Sequence, residues 1–292
     1  MTSDPGGNDH DALPTGAHAP SAATPSAAPA TGAPHPPAPH PPALEVRGLW
    51  RRFGATVAVA GIDLTVPAGS CYGVVGPNGA GKTTTLSMAT GLLRPDHGTV
   101  RVHGIDLWER RGEAMALLGV LPDGLRLFDR LTGAQMITYA GLLRGMPRDV
   151  VQQRTRELVD ALDLSGAAET LVVDYSAGMA KKVALATAMV HAPRVMVLDE
   201  PFESVDPVSA ANIRAILERY VAAGGSVVVS SHVMDTVQRM CDHVAIVARG
   251  RVLAEGTVDD VRAGRSLDDT FVDLVGGRRA DGDGGLAWLA TS

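Results

Sequence analysis

Gly76-Pro77-Asn78-Gly79-Ala80-Gly81-Lys82-Thr83-Thr84 follows the apolar run Cys71-Tyr72-Gly73-Val74-Val75 and precedes Thr85-Leu86-Ser87-Met88-Ala89, which carries a helical pattern. The order is strand, glycine-rich turn, helix start, and the turn fits the phosphate-cradling spacing G-x-x-x-x-G-K-[ST]. Gly76, Gly79 and Gly81 let backbone N–H groups curl inward around phosphate oxygens, and the helix start adds the positive end of its dipole. Lys82 is placed to reach the β- and γ-phosphates of a nucleotide, and Thr83 to set its hydroxyl on Mg²⁺. Lysine is scarce, at positions 82, 181 and 182 only, so the match is no by-product of a basic composition.

With 292 residues, 45% apolar and 20% charged, the chain has ordinary globular chemistry and ample material for a core. A formal charge of −6, with its 26 Lys and Arg scattered, argues against a nucleic-acid footprint. Cys71 and Cys241 have no metal-like spacing and read as buried small residues without a redox role. No run reaches 18 apolar residues, and the start lacks a signal peptide's charged and apolar regions, so a cytoplasmic location is expected, with membrane association only through a partner.

Residues 1–43 hold eleven prolines and eleven alanines with no Lys or Arg, the composition of a disordered tail, and residues 277–292 read as a second, flexible one. Between them, 45–50 and 62–66 read as antiparallel strands around Arg51-Arg52-Phe53-Gly54, whose aromatic either stacks on a base or packs at a sheet corner. Strands are expected at 98–102 and 117–121, the latter broken by Pro122-Asp123-Gly124. From about 128 to 175 the pattern turns helical, with one helix over 132–144 and another that Pro147 opens through 163, an insertion between two halves of an α/β core. A helix is expected over 178–192. Val195-Met196-Val197-Leu198-Asp199-Glu200 then reads as a buried strand ending in two carboxylates, which calls for a counter-charge such as Mg²⁺. A helix over 212–222, a strand over 226–231 with His232 at its end, and a hairpin at 244–247 and 252–255 complete the pattern.

The P-loop, Asp199 with Glu200, and His232 thus each end a strand of a doubly wound core, where such sheets bind ligands. Nucleotide hydrolysis needs phosphate positioning, a metal-holding Asp and a group that orients water, which Lys82 with Thr83, Asp199 and Glu200 supply in turn, with His232 set to meet the γ-phosphate or the water.

From residue 44 to about 276 the chain resembles the nucleotide-binding subunit of an ATP-binding cassette (ABC) transporter. Beyond the P-loop, Phe53 stands at the base-stacking position, Tyr175-Ser176-Ala177-Gly178-Met179 where the family has Leu-Ser-Gly-Gly-Gln, Ser204-Val205-Asp206-Pro207 at the D-loop and His232 at the switch position. Ala177 and Met179 depart from that signature, in the manner of single-cassette exporters, and Asp123 replaces the usual Q-loop glutamine while keeping an oxygen that can reach Mg²⁺ through a water. The resemblance implies an α/β fold: a P-loop NTPase core of mostly parallel sheet flanked by helices, with an N-terminal antiparallel β subdomain and an inserted α-helical one. It implies ATP and Mg²⁺ as cofactors, with Phe53, the loop 76–84, Ser176, Gly178 and Asp206 on nucleotide, Thr83, Asp199 and Asp123 toward metal, and Glu200, His232 and Lys82 in catalysis. It also implies a head-to-tail pairing with a second copy or a paralogous cassette, each P-loop facing the other's signature, and a membrane permease docked on the helical insertion. Two other readings are a soluble ABC ATPase acting on ribosome or DNA, and a nucleotide-binding switch without hydrolysis. One P-loop, no heptad run and acidic charge weigh against the first, and intact Lys82, Asp199, Glu200 and His232 against the second.

Overall fold

Strand β3 (Cys71–Val75) alternates the two sides of the core: Cys71 and Val75 pack with one apolar cluster, Tyr72 and Val74 with the other. The same period of two recurs in β7 (Val195–Leu198), β8 (Ser226–Ser231) and β9 (His243–Ala248), so these strands are buried on both faces. With β6 (Leu118–Leu121) and β10 (Arg251–Thr257) they form a six-stranded sheet in the order β10-β9-β3-β8-β7-β6, parallel except for β10. Burying each such Val or Leu contributes about 1.5–3 kcal/mol, and the parallel pairing puts the carboxyl ends of β3, β8, β7 and β6 side by side.

One face of this sheet is covered by a four-stranded antiparallel sheet, β2-β1-β4-β5, made of β1 (Leu44–Phe53), β2 (Thr56–Val66), β4 (His97–Val102) and β5 (Ile105–Asp106). The computed structural model describes residues 41–275, so residues 1–40 and 276–292, with most of the two expected tails, lie outside the described residues. Ala43 does not belong to the tail: it is fully buried, and its N–H donates to Val66 O at 2.9 Å. Both N-terminal strands are longer than their apolar patterns suggested, because alternating polar residues on an exposed face leave the ladder intact, and Phe53 closes β1 rather than sitting in the turn.

Helix α1 (Lys82–Ala89) leaves the P-loop, and α2 (Arg111–Ala116), not foreseen, precedes β6. The inserted helices are α3 (Gly133–Leu143) and α4 (Arg148–Ala161), which pack against α5 (Ala177–Met189) around Ile137, Val159, Leu162 and Val183. Thr132 and Gln135 close α3 with a reciprocal capping box, so Thr132 stands outside the helix it was expected to begin. Pro147 is likewise the N-cap of α4, and the left-handed φ of Asp163 (+53°) lies beyond its last turn. Helix α5 starts one residue earlier than expected, capped by Ser176, and stops at Met189, ahead of the left-handed Ala192. Helix α6 (Pro207–Ala222) starts five residues early: Asp206 accepts the N–H groups of Val208 and Ser209, and Pro207, which has no N–H to satisfy, opens the first turn. Three short helices, α7 (Met234–Met240), α8 (Val258–Arg262) and α9 (Leu267–Val275), were also missed. No helix among the described residues is long and apolar enough to cross a membrane.

Candidate active site

Because β3, β6, β7 and β8 run parallel, the residues that follow them converge. A cleft of about 380 Å³ is lined by Pro77, Asn78, Gly79, Ala80, Gly81, Lys82, Thr83 and Thr84 after β3, Asp123 after β6, Glu200 after β7 and His232 after β8. Ala58 of β2 and Glu203 also line it. Gly76 stands behind the loop, where any Cβ would meet Val247 O at 2.1 Å, a close approach open to glycine alone.

Lys82 Nζ is buried, donates to Gly76 O at 2.8 Å and lies 3.4 Å from Glu200 Oε1. His232 Nδ1 lies 3.0 Å from the other oxygen of Glu200, so this carboxylate is held between a lysine and a histidine. Glu200 has φ +46°, a left-handed backbone that costs a non-glycine residue roughly 1–2 kcal/mol. Its N–H is tied to Ser230 Oγ at 2.9 Å, and the Ser230 hydroxyl in turn donates to Asp199 Oδ1. Asp199 is only 3% exposed and also bonds Thr83; burial raises its pKa, these two hydrogen bonds oppose the rise, and the carboxylates of Asp123 and Glu200 add to it. A buried carboxylate with a threonine hydroxyl bonded to it and two further carboxylates near enough to raise its pKa offers the oxygen chemistry that suits Mg²⁺. The Asp123 carboxylate faces the cleft while accepting the N–H of Gly124 at 2.8 Å, which fixes the turn it caps.

The remaining expected residues are not in this cleft. Phe53 closes the β1–β2 hairpin, half exposed, with the Arg51 guanidinium 5.1 Å from its ring centroid and Arg51 itself paired with Asp96 at 2.6 Å. Ser176 Oγ accepts Met179 N at 3.2 Å and caps α5, and a Cβ on Gly178 would come 3.7 Å from Asp206 Oδ2, so signature and D-loop residues cluster away from the chain's own P-loop. Ser230 and Glu203 were missed from the sequence. For Ser230 a signal was present, a serine fully buried in the run Val227-Val228-Val229-Ser230. Replacing Ser230 by Ala leaves the Glu200 N–H and one Asp199 oxygen unpaired, and is expected to lower kcat for nucleotide hydrolysis about tenfold or more with little change in KM. Steady-state kinetics with a melting curve checks it; an unchanged kcat rejects this positioning role.

A mostly parallel sheet with a phosphate-binding loop after its central strand, two acids after β7 and an antiparallel sheet on one face defines a P-loop NTPase of the cassette type. The family model described as ABC transporter matches residues 59–203. The daunorubicin/doxorubicin resistance ATP-binding protein DrrA of Streptomyces peucetius is 36% identical over 76% of this chain and 67% of its own length. The Nod factor export ATP-binding protein I of Burkholderia lata is 35% identical over 73% of this chain and 70% of its own. Among solved structures, an ATP-binding subunit of an ABC transporter superposes with a TM-score of 0.74 at 28% identity, covering 80% of this chain and 99% of that one. The chain belongs to the ABC transporter family, as an ATP-binding and ATP-hydrolysing cassette.

Proposed function

We propose that this cassette powers export through a separate membrane subunit on whose cytoplasmic face it sits, and that it works as a head-to-tail dimer with a second copy or a paralogous cassette. The observation that carries the ATPase mechanism is the convergence of Lys82, Thr83, Glu200 and His232 on one cleft, with Asp199 buried behind it and bonded to Thr83. The P-loop N–H groups and Lys82 hold the β- and γ-phosphates. Thr83, Asp199 and Asp123 would hold Mg²⁺, which would supply positive charge against the phosphate oxygens. Phosphate oxygens compete with Glu200 for Lys82, and the freed carboxylate, still held by His232, accepts a proton from the attacking water. Phe53, backed by Arg51, offers its open face to the adenine. The export direction is supported by the two relatives, whose names are of drug resistance and of Nod factor export.

The membrane partner is assigned to the inserted helices. There Phe128 and Tyr139 meet edge to face at 5.9 Å, and Leu143, four residues after Tyr139 on α3, is 69% exposed, so large apolar side chains stand open to solvent. Where an adjacent reading frame encodes a polytopic membrane protein, Leu143→Asp is expected to abolish co-purification of the two when they are co-expressed, while the isolated chain keeps its ATPase rate within about twofold. A wild-type chain that hydrolyses ATP yet never co-purifies with that protein overturns the transport reading.

A further inference from the structure

The two cysteines, 170 positions apart in the sequence, meet in the core. Cys71 Sγ and Cys241 Sγ are 3.3 Å apart, and both side chains are almost wholly buried. The approach is built in from three directions. Cys71 N–H donates to Asp242 Oδ2 and Asp242 N–H donates to Cys71 O, each at 2.8 Å, where β3 and β9 begin their parallel pairing. Helix α7, whose C-cap is Cys241, lies so close to β3 that a Cβ on Gly73 would come 2.1 Å from Val237 Cγ1, so only glycine at position 73 admits it. Cys71 also lines a surface cleft of about 240 Å³, together with Leu217, Glu218, Val221 and Ala222 of α6, Met240 and Asp242, so a small molecule in this cleft stands against Cys71.

We propose that Cys71 and Cys241 are a modification site that a small hydroperoxide, entering through this cleft, converts to a reversible intramolecular disulfide. Cys71 sulfur attacks the peroxide oxygen, the O–O bond breaks, and the thiol proton leaves with the departing oxygen as alcohol, or as water when the oxidant is hydrogen peroxide; Cys71 is then a sulfenic acid. Cys241 sulfur displaces the hydroxyl from Cys71, forming S–S and breaking S–O, and its proton leaves with the hydroxyl as water. Two thiols lose two electrons in all, and one peroxide is reduced. The hydrogen bond with Cys71 and burial hold the Cys241 thiol well above its ordinary pKa, which suits a resolving thiol that stays protonated until a sulfenic acid forms beside it. The bond clamps the end of α7 to the base of β3 and closes a loop containing most of the cassette, so the oxidised protein gains thermal stability.

The chain has no other cysteine, which makes the test clean. The folded full-length protein is treated with hydrogen peroxide, quenched, denatured and analysed for free thiols and intact mass. The expected result is loss of both thiols and of two hydrogens, full recovery with dithiothreitol, and a melting temperature several degrees higher in the oxidised form. In Cys241→Ser, Cys71 should stop as a sulfenic acid trapped by dimedone, and in Cys71→Ser, Cys241 should stay free. Thiols that remain titratable throughout, a disulfide found only between chains, or Cys241 reacting in Cys71→Ser as fast as either thiol in the wild type would each overturn the proposal. The wild-type mass measurement stands by itself should a variant fail to fold.

Discussion

Glu200→Gln is expected to cut ATP turnover by at least about a hundredfold, close to 2.7 kcal/mol of barrier, while ATP still binds. The amide preserves size and most hydrogen bonding, so the Ser230 tie to the backbone of residue 200 survives and the loop keeps its shape. What disappears is the negative charge between Lys82 and His232. Without it the cleft loses the base proposed to take the water's proton, and Lys82, released from its pair, is freer to hold phosphate. Nucleotide affinity should therefore hold or rise, and the closed, ATP-bound dimer should accumulate. Single-turnover hydrolysis beside equilibrium binding of ATP separates the two effects. Wild-type turnover in this variant would remove Glu200 from its catalytic role.

The second large effect concerns the signature. Ser176 and Gly178 lie outside the cleft that holds their own P-loop, and α5 begins at Ala177, so the amides of residues 177 and 178 stand ahead of its first internal hydrogen bond. Ser176 Oγ accepts from Met179, which leaves its hydroxyl hydrogen to donate outward. A partner's γ-phosphate satisfies such groups. Lys82→Ala and Ser176→Arg homodimers should both be inactive, the first for want of the phosphate-binding ammonium, the second through bulk at the composite site. A mixed dimer has one site with both lesions and one with neither, so hydrolysis should return to a measurable fraction, in the presence of the membrane subunit where dimerisation needs it. Verified heterodimers as inactive as their parents, beside an active dimer of wild type with the double variant, would count against action in trans.

The parts of this fold that could be read beforehand are those whose information is local. Strand β8 was legible to the residue because an apolar run is bounded by Gly224-Gly225 on one side and His232 on the other. The P-loop and the two acids after β7 were legible because strand, turn chemistry and site residues are contiguous. Helix α6 was cut short because Asp206-Pro207 reads as a loop dipeptide, whereas together they cap and open the helix. The meeting of the cysteines had no local signal at all. It follows from β3 pairing with β9 across some 170 residues and from the room that Gly73 gives α7, a relation between elements that neither stretch contains by itself. Ser230 lies between: its polarity after a valine run was visible, but its two partners are the residues that follow the neighbouring strand β7.

The left-handed backbone at Glu200 sets the interests of the fold against those of the reaction. A glycine there would relax the backbone, while it would strip the buried Lys82 of its carboxylate partner and, on the proposed mechanism, the reaction of its base. The carboxylate proposed to take the water's proton thus sits on a backbone that glycine would occupy with less strain.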